Sequence, residues 1–278
     1  MSLPRVVFLT TLTMMAFAGN SLLCRLALRD TTIDAASFTG IRLLSGAVVL
    51  WVVVRARRSA QQGAGSWWSA LALFAYAACF SYAYLSLTAA TGALLLFSAV
   101  QATMIGYGLW TGERLSWIKT SGVVLALIGL LVLFLPGISA PPLWGALLMI
   151  ASGVAWGIYS LRGRGAGDPT QVTAGNFLRG VLLAVPLCLV FQDRLQVDAI
   201  GVLYAVASGA FASGLGYALW YAVLPSLQAT TAATVQLSVP VIAALGGVVF
   251  LGELMTLQLV LASAAILGGI GLVIVARK

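Results

Sequence analysis

Histidine is absent from this 278-residue sequence, and acidic residues are scarce. The chain has seven aspartates and glutamates, two lysines and three cysteines. An enzyme needs a nucleophile with a base, or a cluster of metal ligands, so these absences argue against catalysis. For the same reason we predict no metal site and no cofactor. The cysteines, Cys24, Cys79 and Cys188, all lie in apolar stretches and do not indicate a disulfide.

Charged residues of either sign make up only 8% of the chain, whereas hydrophobic residues make up 61%. This composition excludes a water-soluble domain. Stretches of about 20 apolar residues have the length that crosses a bilayer, and their unbroken apolarity indicates helices rather than barrel strands. The sequence therefore predicts an all-α membrane protein with ten transmembrane helices. We place them near residues 5–27, 34–55, 67–87, 90–110, 117–135, 142–162, 171–191, 199–221, 228–251 and 257–276.

The basic residues predict the orientation of the chain. With ten helices both termini lie on one side, and so do ten of the 15 lysines and arginines. Positive residues favour the cytoplasmic side, so we expect both termini in the cytoplasm of a bacterium, with the chain in the inner membrane. The net charge of +8 is scattered over loops, which argues against nucleic-acid binding. The ten residues are Arg5, Arg55, Arg57, Arg58, Arg114, Lys119, Arg162, Arg164, Arg277 and Lys278.

Residues 84–132 and 224–272 carry the same pattern about 140 residues apart. The duplication predicts two five-helix repeats, residues 1–139 and 140–278. Because five is odd, the second repeat enters the membrane from the opposite side, and the two repeats are inverted. The matched pairs are Ser86 and Ser226, Leu87 and Leu227, Thr91 and Thr231, Ser98 and Ser238, Gly106 and Gly246, Gly112 and Gly252, Glu113 and Glu253, and Gly129 and Gly269.

Two pairs of motifs resemble a known family. The first helix of each half carries Phe17-Ala18-Gly19-Asn20 or Trp156-Gly157-Ile158-Tyr159. The junction of the fourth and fifth helices reads Gly112-Glu113-Arg114-Leu115-Ser116 or Gly252-Glu253-Leu254-Met255-Thr256. These motifs resemble the drug/metabolite transporter superfamily in its ten-helix duplicated (EamA-type) form, and most closely its bacterial exporters of aromatic and other amino acids. The resemblance implies alternating access around a central cavity. One departure from the family pattern concerns the proline expected in the fourth helix of each half. The second half has it, as Pro240, but the first half has Val100 at the matching position.

The junction motifs contain the only acids of the duplicated block, Glu113 and Glu253. Gly112 and Gly252 precede them and suit a left-handed helix C-terminus. We therefore favour a structural role in the helix turn for all four residues. The alternative is a proton-coupling carboxylate, which their position at helix ends disfavours. A multidrug antiporter would need an acid deep in a helix, and the sequence has none.

Two arginines lie within predicted helices. Arg42 and Arg179 are each about eight residues, or roughly 12 Å, from a helix start. One of them could bind a substrate carboxylate. The alternative is that they tie helix ends together or extend to the membrane surface.

Polar and aromatic side chains supply the candidate cavity wall. Ser98 and Gln101 share a helix face, and Ser238 and Gln236 lie on the matching helix of the second half. A glutamine could instead bridge two helices. For Trp156 and Tyr159 the family resemblance favours a place in the cavity, and Asn20, the last residue of the first-helix motif, is a further candidate. Tryptophans that start helices, Trp67, Trp68, Trp117 and Trp144, fit the membrane interface instead. Other aromatic residues gather on the first and third helices of each half and could form an apolar wall, Phe80, Tyr84 and Tyr221 among them. The site candidates from this set are Phe17, Tyr82, Tyr217 and Trp220.

The sequence thus predicts a monomeric inner-membrane exporter of amino acids, including aromatic ones, and related small metabolites. Its only predicted partners are the small-molecule substrate and the lipid bilayer. An exporter of drugs or nucleotide-type metabolites is the alternative within the same superfamily. A channel is disfavoured because charge rings and filter-like motifs are absent.

Overall fold

The computed structural model describes residues 1–57, 64–112, 116–135, 140–163, 168–227 and 235–275. These residues form ten long helices joined by short turns, with no strand among them. The helices are α1 (Leu3–Asp30), α2 (Ala35–Arg57), α3 (Trp67–Tyr84), α4 (Ala89–Trp110), α5 (Trp117–Phe134), α6 (Leu143–Arg162), α7 (Pro169–Val190), α8 (Ala199–Val223), α9 (Ser238–Leu251) and α10 (Leu257–Val275). The predicted all-α class is confirmed.

The helices have the length and surface of membrane spans. Eight of those described, all but α3 and α9, are long and apolar enough to cross a bilayer by length and composition. Tryptophans at helix ends are largely exposed: Trp117 by 89%, Trp144 by 78% and Trp68 by 71%. A large exposed aromatic ring at a helix end suits the interface between lipid and water.

Contacts between the two halves come in exchanged pairs. Helix α3 packs on α6. In the matching contact α8 packs on α1, where α8 is the counterpart of α3 and α1 is the counterpart of α6. In the same way α4 packs on α6 while α9 packs on α1, and α2 packs on α8 while α7 packs on α3. Helices α2 and α7, α4 and α9, and α5 and α10 each contact their own counterpart. This pattern is the one that a pseudo-two-fold axis between the halves produces.

The first helices of the two halves run in opposite directions. The end of α1 meets the turn between α3 and α4, where Arg25 Nη1 donates to the Tyr84 carbonyl over 2.9 Å. The beginning of α6 meets the same turn, since a Cβ on Gly145 would lie 2.3 Å from Ser86 Oγ. The C-terminus of α1 and the N-terminus of α6 therefore share one face, which we call the Glu253 face. The two repeats are inverted, as the odd number of helices predicts.

Helices α5 and α10 lie at the edge of the bundle and approach closely. Helix α5 buries only three residues, two of which are glycines. A Cβ on Gly122 would lie 2.6 Å from the Gly269 carbonyl oxygen, and one on Gly269 would lie 2.4 Å from the Gly122 carbonyl oxygen. The two backbones can touch only because both positions lack a side chain.

Candidate functional site

A polar network lies between the two repeats, around the fully buried Arg42. The Arg42 side chain is on α2 and is 1% exposed. Its Nη2 donates to the Tyr76 hydroxyl over 2.6 Å, and its Nε donates to Ser213 Oγ over 3.3 Å. Asn20 Nδ2 donates to the same Tyr76 hydroxyl over 3.1 Å, and Ser208 Oγ donates to Asn20 Oδ1 over 2.6 Å. The first repeat supplies Asn20, Arg42 and Tyr76, and the second supplies the two serines.

A π-helical segment of α8, Ser208–Leu215, brings the two serines to this network. Its small residues let the α8 backbone touch α2, since a Cβ on Gly209 would lie 2.1 Å from the Arg42 carbonyl oxygen. π-Helical turns inside α-helices occur frequently at functional sites because they reposition side chains. Here the turn places Ser208 against Asn20 and Ser213 against Arg42.

Aromatic rings surround the network. The Trp156 ring centroid lies 4.9 Å from Tyr76, 4.9 Å from Tyr217 and 5.4 Å from Tyr159. On the other side, the Phe17 ring centroid lies 5.9 Å from that of Tyr217 and 6.1 Å from that of Trp220. The Arg42 guanidinium carbon lies 5.0 Å from the Tyr76 ring centroid and 4.8 Å from that of Phe80, which is the geometry of a cation–π contact.

A small cavity remains at the centre of these rings. Its volume is about 20 Å³, which holds roughly one water molecule. The described residues that line it come from five helices of both repeats: Phe17, Asn20, Ser21, Tyr76, Phe80, Leu96, Phe97, Trp156, Ala212 and Tyr217.

The centre lies deep in the membrane. Asn20 is ten residues before the end of α1 at Asp30, or about 15 Å at 1.5 Å per residue. Arg42 is seven residues into α2, or about 10 Å. A bilayer core is about 30 Å thick, so the network is near its middle. Secondary transporters with inverted repeats bind their substrates at this depth, at the interface of the repeats.

The structure brings six of the predicted cavity residues into this cluster and leaves five outside it. Phe17, Asn20, Trp156 and Tyr217 line the central void, and Tyr159 and Trp220 pack on those rings. Tyr82 instead contacts the Phe191 ring at 5.7 Å, at the end of α7. The roles of all these residues stay predictions.

The four polar candidates on α4 and at the start of α9 are not among the lining residues of the central cavity. Ser98 donates to the Leu94 carbonyl over 2.6 Å and lines a separate cleft of about 380 Å³, which is almost entirely apolar, between α4, α5 and α10. Gln101 is 4% exposed. Ser238 donates to the Val235 carbonyl over 2.7 Å, and Gln236 is partly buried beside it.

The two predicted arginines have different surroundings. Arg179 donates to the carbonyl oxygens of Ala64 and Gly175, and its guanidinium carbon lies 5.7 Å from the Trp67 ring centroid. Arg179 thus ties the start of α3 to α7, which is the structural alternative stated above. Arg42 has no such backbone contacts and sits at the centre.

The glycines of the junction motifs have positive φ, 98° at Gly112 and 62° at Gly252. Glu253 follows Gly252 and accepts from Arg25 Nε over 3.3 Å and from the Ala89 amide over 2.8 Å. In the structure Glu253 links the α9–α10 turn to α1 and to the start of α4. Its counterpart Glu113 lies outside the described residues.

Tyr76, Phe80, Ser208 and Ser213 complete the central cluster. Phe80 is one of the aromatic residues noted on the third helix, whereas the residue patterns did not single out Tyr76 or the two serines. Tyr76 and Phe80 are four apart on α3 and therefore share a helix face, which is a signal that the sequence does contain. The serines gave no signal because the π turn that aims them is a tertiary feature. Within the described residues no group of three histidine, cysteine or acidic side chains could hold a metal ion.

A helical membrane bundle with inverted repeats and a buried polar centre between them belongs to the class of secondary transporters. The comparisons with known proteins make the assignment specific. The EamA-like transporter family matches residues 4–135 and again residues 143–275. The chain therefore belongs to this family, which confirms both the resemblance and the interpretation as a transporter rather than an enzyme.

Several relatives and one solved structure resemble the chain. An uncharacterized protein of Pseudomonas aeruginosa is 58% identical over 274 residues, which cover 98% of this chain and 96% of that protein. An uncharacterized transporter of Archaeoglobus fulgidus is 26% identical over 251 residues, which cover 85% of this chain and 86% of that transporter. The threonine/homoserine exporter RhtA of Escherichia coli is 34% identical over 166 residues, or 56% of this chain and 55% of the exporter. A protein of known crystal structure superposes with a TM-score of 0.66 at 22% identity, covering 96% of this chain and 99% of that one, and supports the fold.

Proposed function

We propose that this protein exports amino acids and related small metabolites across the bacterial inner membrane by alternating access. The observation that carries the proposal is the buried network of Asn20, Arg42 and Tyr76 with Ser208 and Ser213. It joins the two inverted repeats midway through the membrane. A site there can be exposed to either face in turn if the repeats rock about it.

The aromatic rings around the network support a small organic substrate. Phe17, Phe80, Trp156 and Tyr217 offer apolar faces for a side chain, while the network offers hydrogen-bonding groups for a polar head. This combination of one polar end and an apolar wall suits an amino acid. The similarity to a threonine/homoserine exporter over about half of the chain supports the same substrate class.

The size of the central cavity supports alternating access rather than an open pore. Between the described residues it measures about 20 Å³, far below the roughly 300 Å³ or more of a ligand pocket, so a substrate that binds among these rings would have to separate the helices that carry them. On the Glu253 face, Arg25, Glu253 and the Ala89 amide hold α1, α4 and the α9–α10 turn together. Opening toward that face would have to break these contacts.

The orientation follows from the basic residues. We propose that both termini are cytoplasmic and that the Glu253 face is external. Reporter fusions before Arg5 and after Lys278 test this directly. A periplasmic reporter at either end would overturn the orientation.

Transport is tested by reconstituting the purified protein in proteoliposomes and measuring efflux of a labelled amino-acid panel that includes threonine, homoserine, leucine, phenylalanine and tryptophan. We expect saturable efflux of some members of the panel and none from protein-free vesicles. Efflux of drug cations or nucleotide-type metabolites, with no amino acid transported, would favour the alternative within the superfamily.

A further inference from the structure

Arg42 is the only charged side chain in the described part of the chain that is fully buried. A charge in the middle of a membrane protein is costly unless an opposite charge or several hydrogen bonds compensate for it. Among the described residues the ion pairs are Arg25 with Glu253 and Arg29 with Asp30, and neither includes Arg42. The acids of the described helices all lie at helix ends, so none of them is a counter-ion of Arg42.

The hydrogen bonds of the Arg42 guanidinium are incomplete. Nη2 and Nε are bonded to Tyr76 and Ser213, but Nη1 is buried and has no hydrogen-bond partner among the described residues. A buried donor without a partner destabilises the fold, and more so when it carries charge. Such a group in a folded protein indicates an acceptor that arrives from outside, because an anion would satisfy both the charge and the donor at once.

The position of Arg42 suits a residue that binds the substrate rather than one with a purely structural role. The rings of Tyr76 and Phe80, which contact its guanidinium, are also walls of the central cavity. The guanidinium therefore lies directly behind the wall of the cavity and is held by residues that would touch a substrate. A guanidinium presents its N–H donors in a planar fork that matches the two oxygens of a carboxylate.

We propose that Arg42 binds the carboxylate of the substrate, so that the transported species are compounds with one carboxylate and a modest side chain, amino acids among them. This inference rests on the proposed export of amino acids and names the residue that recognises their common group. The substrate carboxylate accepts from Arg42 Nη1 when the centre opens, and the aromatic rings take the side chain.

The test compares an amino acid with the same molecule lacking its carboxylate charge. Counterflow of labelled threonine, or of whichever panel member is transported best, is measured in proteoliposomes with the unlabelled amino acid, its carboxamide and its methyl ester as competitors. We expect the amide and the ester to compete about 10- to 100-fold more weakly, the ratio that one charge-assisted hydrogen bond supplies. Equal competition by the acid and the amide in the wild type would overturn the role of Arg42 and leave the proposed export intact.

The variants assign the discrimination to one side chain. Arg42→Gln should lose transport affinity for the acid by a similar factor and should no longer distinguish it from the amide, whereas Arg42→Lys, which keeps the charge, should retain part of the preference. Arg55→Gln is the matched control, because Arg55 is on the same helix but exposed, with its guanidinium carbon 5.3 Å from the Trp51 ring centroid. Unchanged discrimination in a folded Arg42→Gln protein would refute the inference. If Arg42→Gln does not fold, the wild-type comparison of acid and amide and the Arg42→Lys variant still test the role of Arg42. If the wild type transports no amino acid, the proposed function fails and the inference fails with it.

Discussion

Arg25 and Glu253 form an ion pair across the two repeats, with 3.3 Å between Nε and Oε1. Their side chains are 14% and 7% exposed. Arg25 also donates to the Tyr84 carbonyl, and Glu253 accepts from the Ala89 amide, so the pair joins four segments of the Glu253 face. A pair shielded from water in this way is stronger than one at an open surface.

We therefore expect energetic coupling between these residues. In a double-mutant cycle of Arg25→Gln and Glu253→Gln, thermal unfolding in detergent should give a coupling of about 1–2 kcal/mol. Asp30→Asn is the control, because Asp30 pairs with Arg29 at 42% side-chain exposure and should contribute little. Strictly additive effects of the two substitutions would show that the pair does not stabilise this face.

The contact between α5 and α10 predicts a second effect. Gly269→Leu places atoms where the Gly122 carbonyl already lies, so it should destabilise the protein by about 1–3 kcal/mol or more, the usual cost of overpacking. Gly268→Leu is the matched control, since a Cβ at Gly268 meets nothing within 4 Å. Fluorescence-detected size exclusion after heating compares the two. Equal survival of both variants would contradict the close approach.

The central cluster predicts a loss of transport without a loss of folding. We expect Trp156→Ala and Tyr159→Ala to reduce efflux of the best amino acid severalfold while expression stays near wild type. Trp144→Ala is the control on the same helix, because its side chain is 78% exposed. Wild-type transport by both variants would refute the placement of the cavity.

The positions of the acids predict the mode of energy coupling. Exchange of a proton for the substrate requires a titratable group that is accessible from each side of the membrane in turn. The described acids lie at helix ends, histidine is absent, and Glu253 is held in an ion pair. We expect facilitated uniport, in which an imposed pH gradient drives no accumulation in proteoliposomes. Accumulation driven by such a gradient, and abolished by Glu113→Gln or Glu253→Gln with folding preserved, would show proton coupling instead.

Asp198, at the N-terminus of α8, predicts a pH dependence of stability. The amide of Gly201 donates to Oδ1 over 2.9 Å, and this hydrogen bond, with others from Thr31 and Thr32, holds the pKa of Asp198 below its usual value. A lowered pKa stabilises the fold above the unfolded-state pKa, about 3.9, and that contribution is lost as the pH falls through the lowered value. Asp198→Asn should therefore lower the unfolding temperature at pH 7, and the difference from wild type should shrink below about pH 4. A difference that stays constant down to pH 3 would exclude this role.

The membrane class, the ten helices, the duplication and its inversion could all be predicted from the amino-acid sequence alone. These follow from the length of apolar stretches and from an odd number of spans per repeat, which are properties of the chain in lipid and need no knowledge of packing. The positive φ angles of Gly112 and Gly252 could also be predicted locally, because a helix often ends at a residue in the left-handed conformation.

Which polar residues lie next to each other could not be predicted from the sequence, because it depends on how the helices pack. Arg42 and Arg179 look alike in sequence, at similar depth in matching helices, yet one is buried between rings and the other binds backbone carbonyls at a helix end. Ser98 and Ser238 match in the repeat, but their hydroxyls donate to the preceding backbone carbonyls of Leu94 and Val235. Ser208 and Ser213 instead reach the centre through the π-helical turn of α8. A membrane helix is apolar on most of its surface, so hydropathy does not indicate which face turns inward. That choice is made by contacts with neighbouring helices, such as Gly209 of α8 against the backbone of α2.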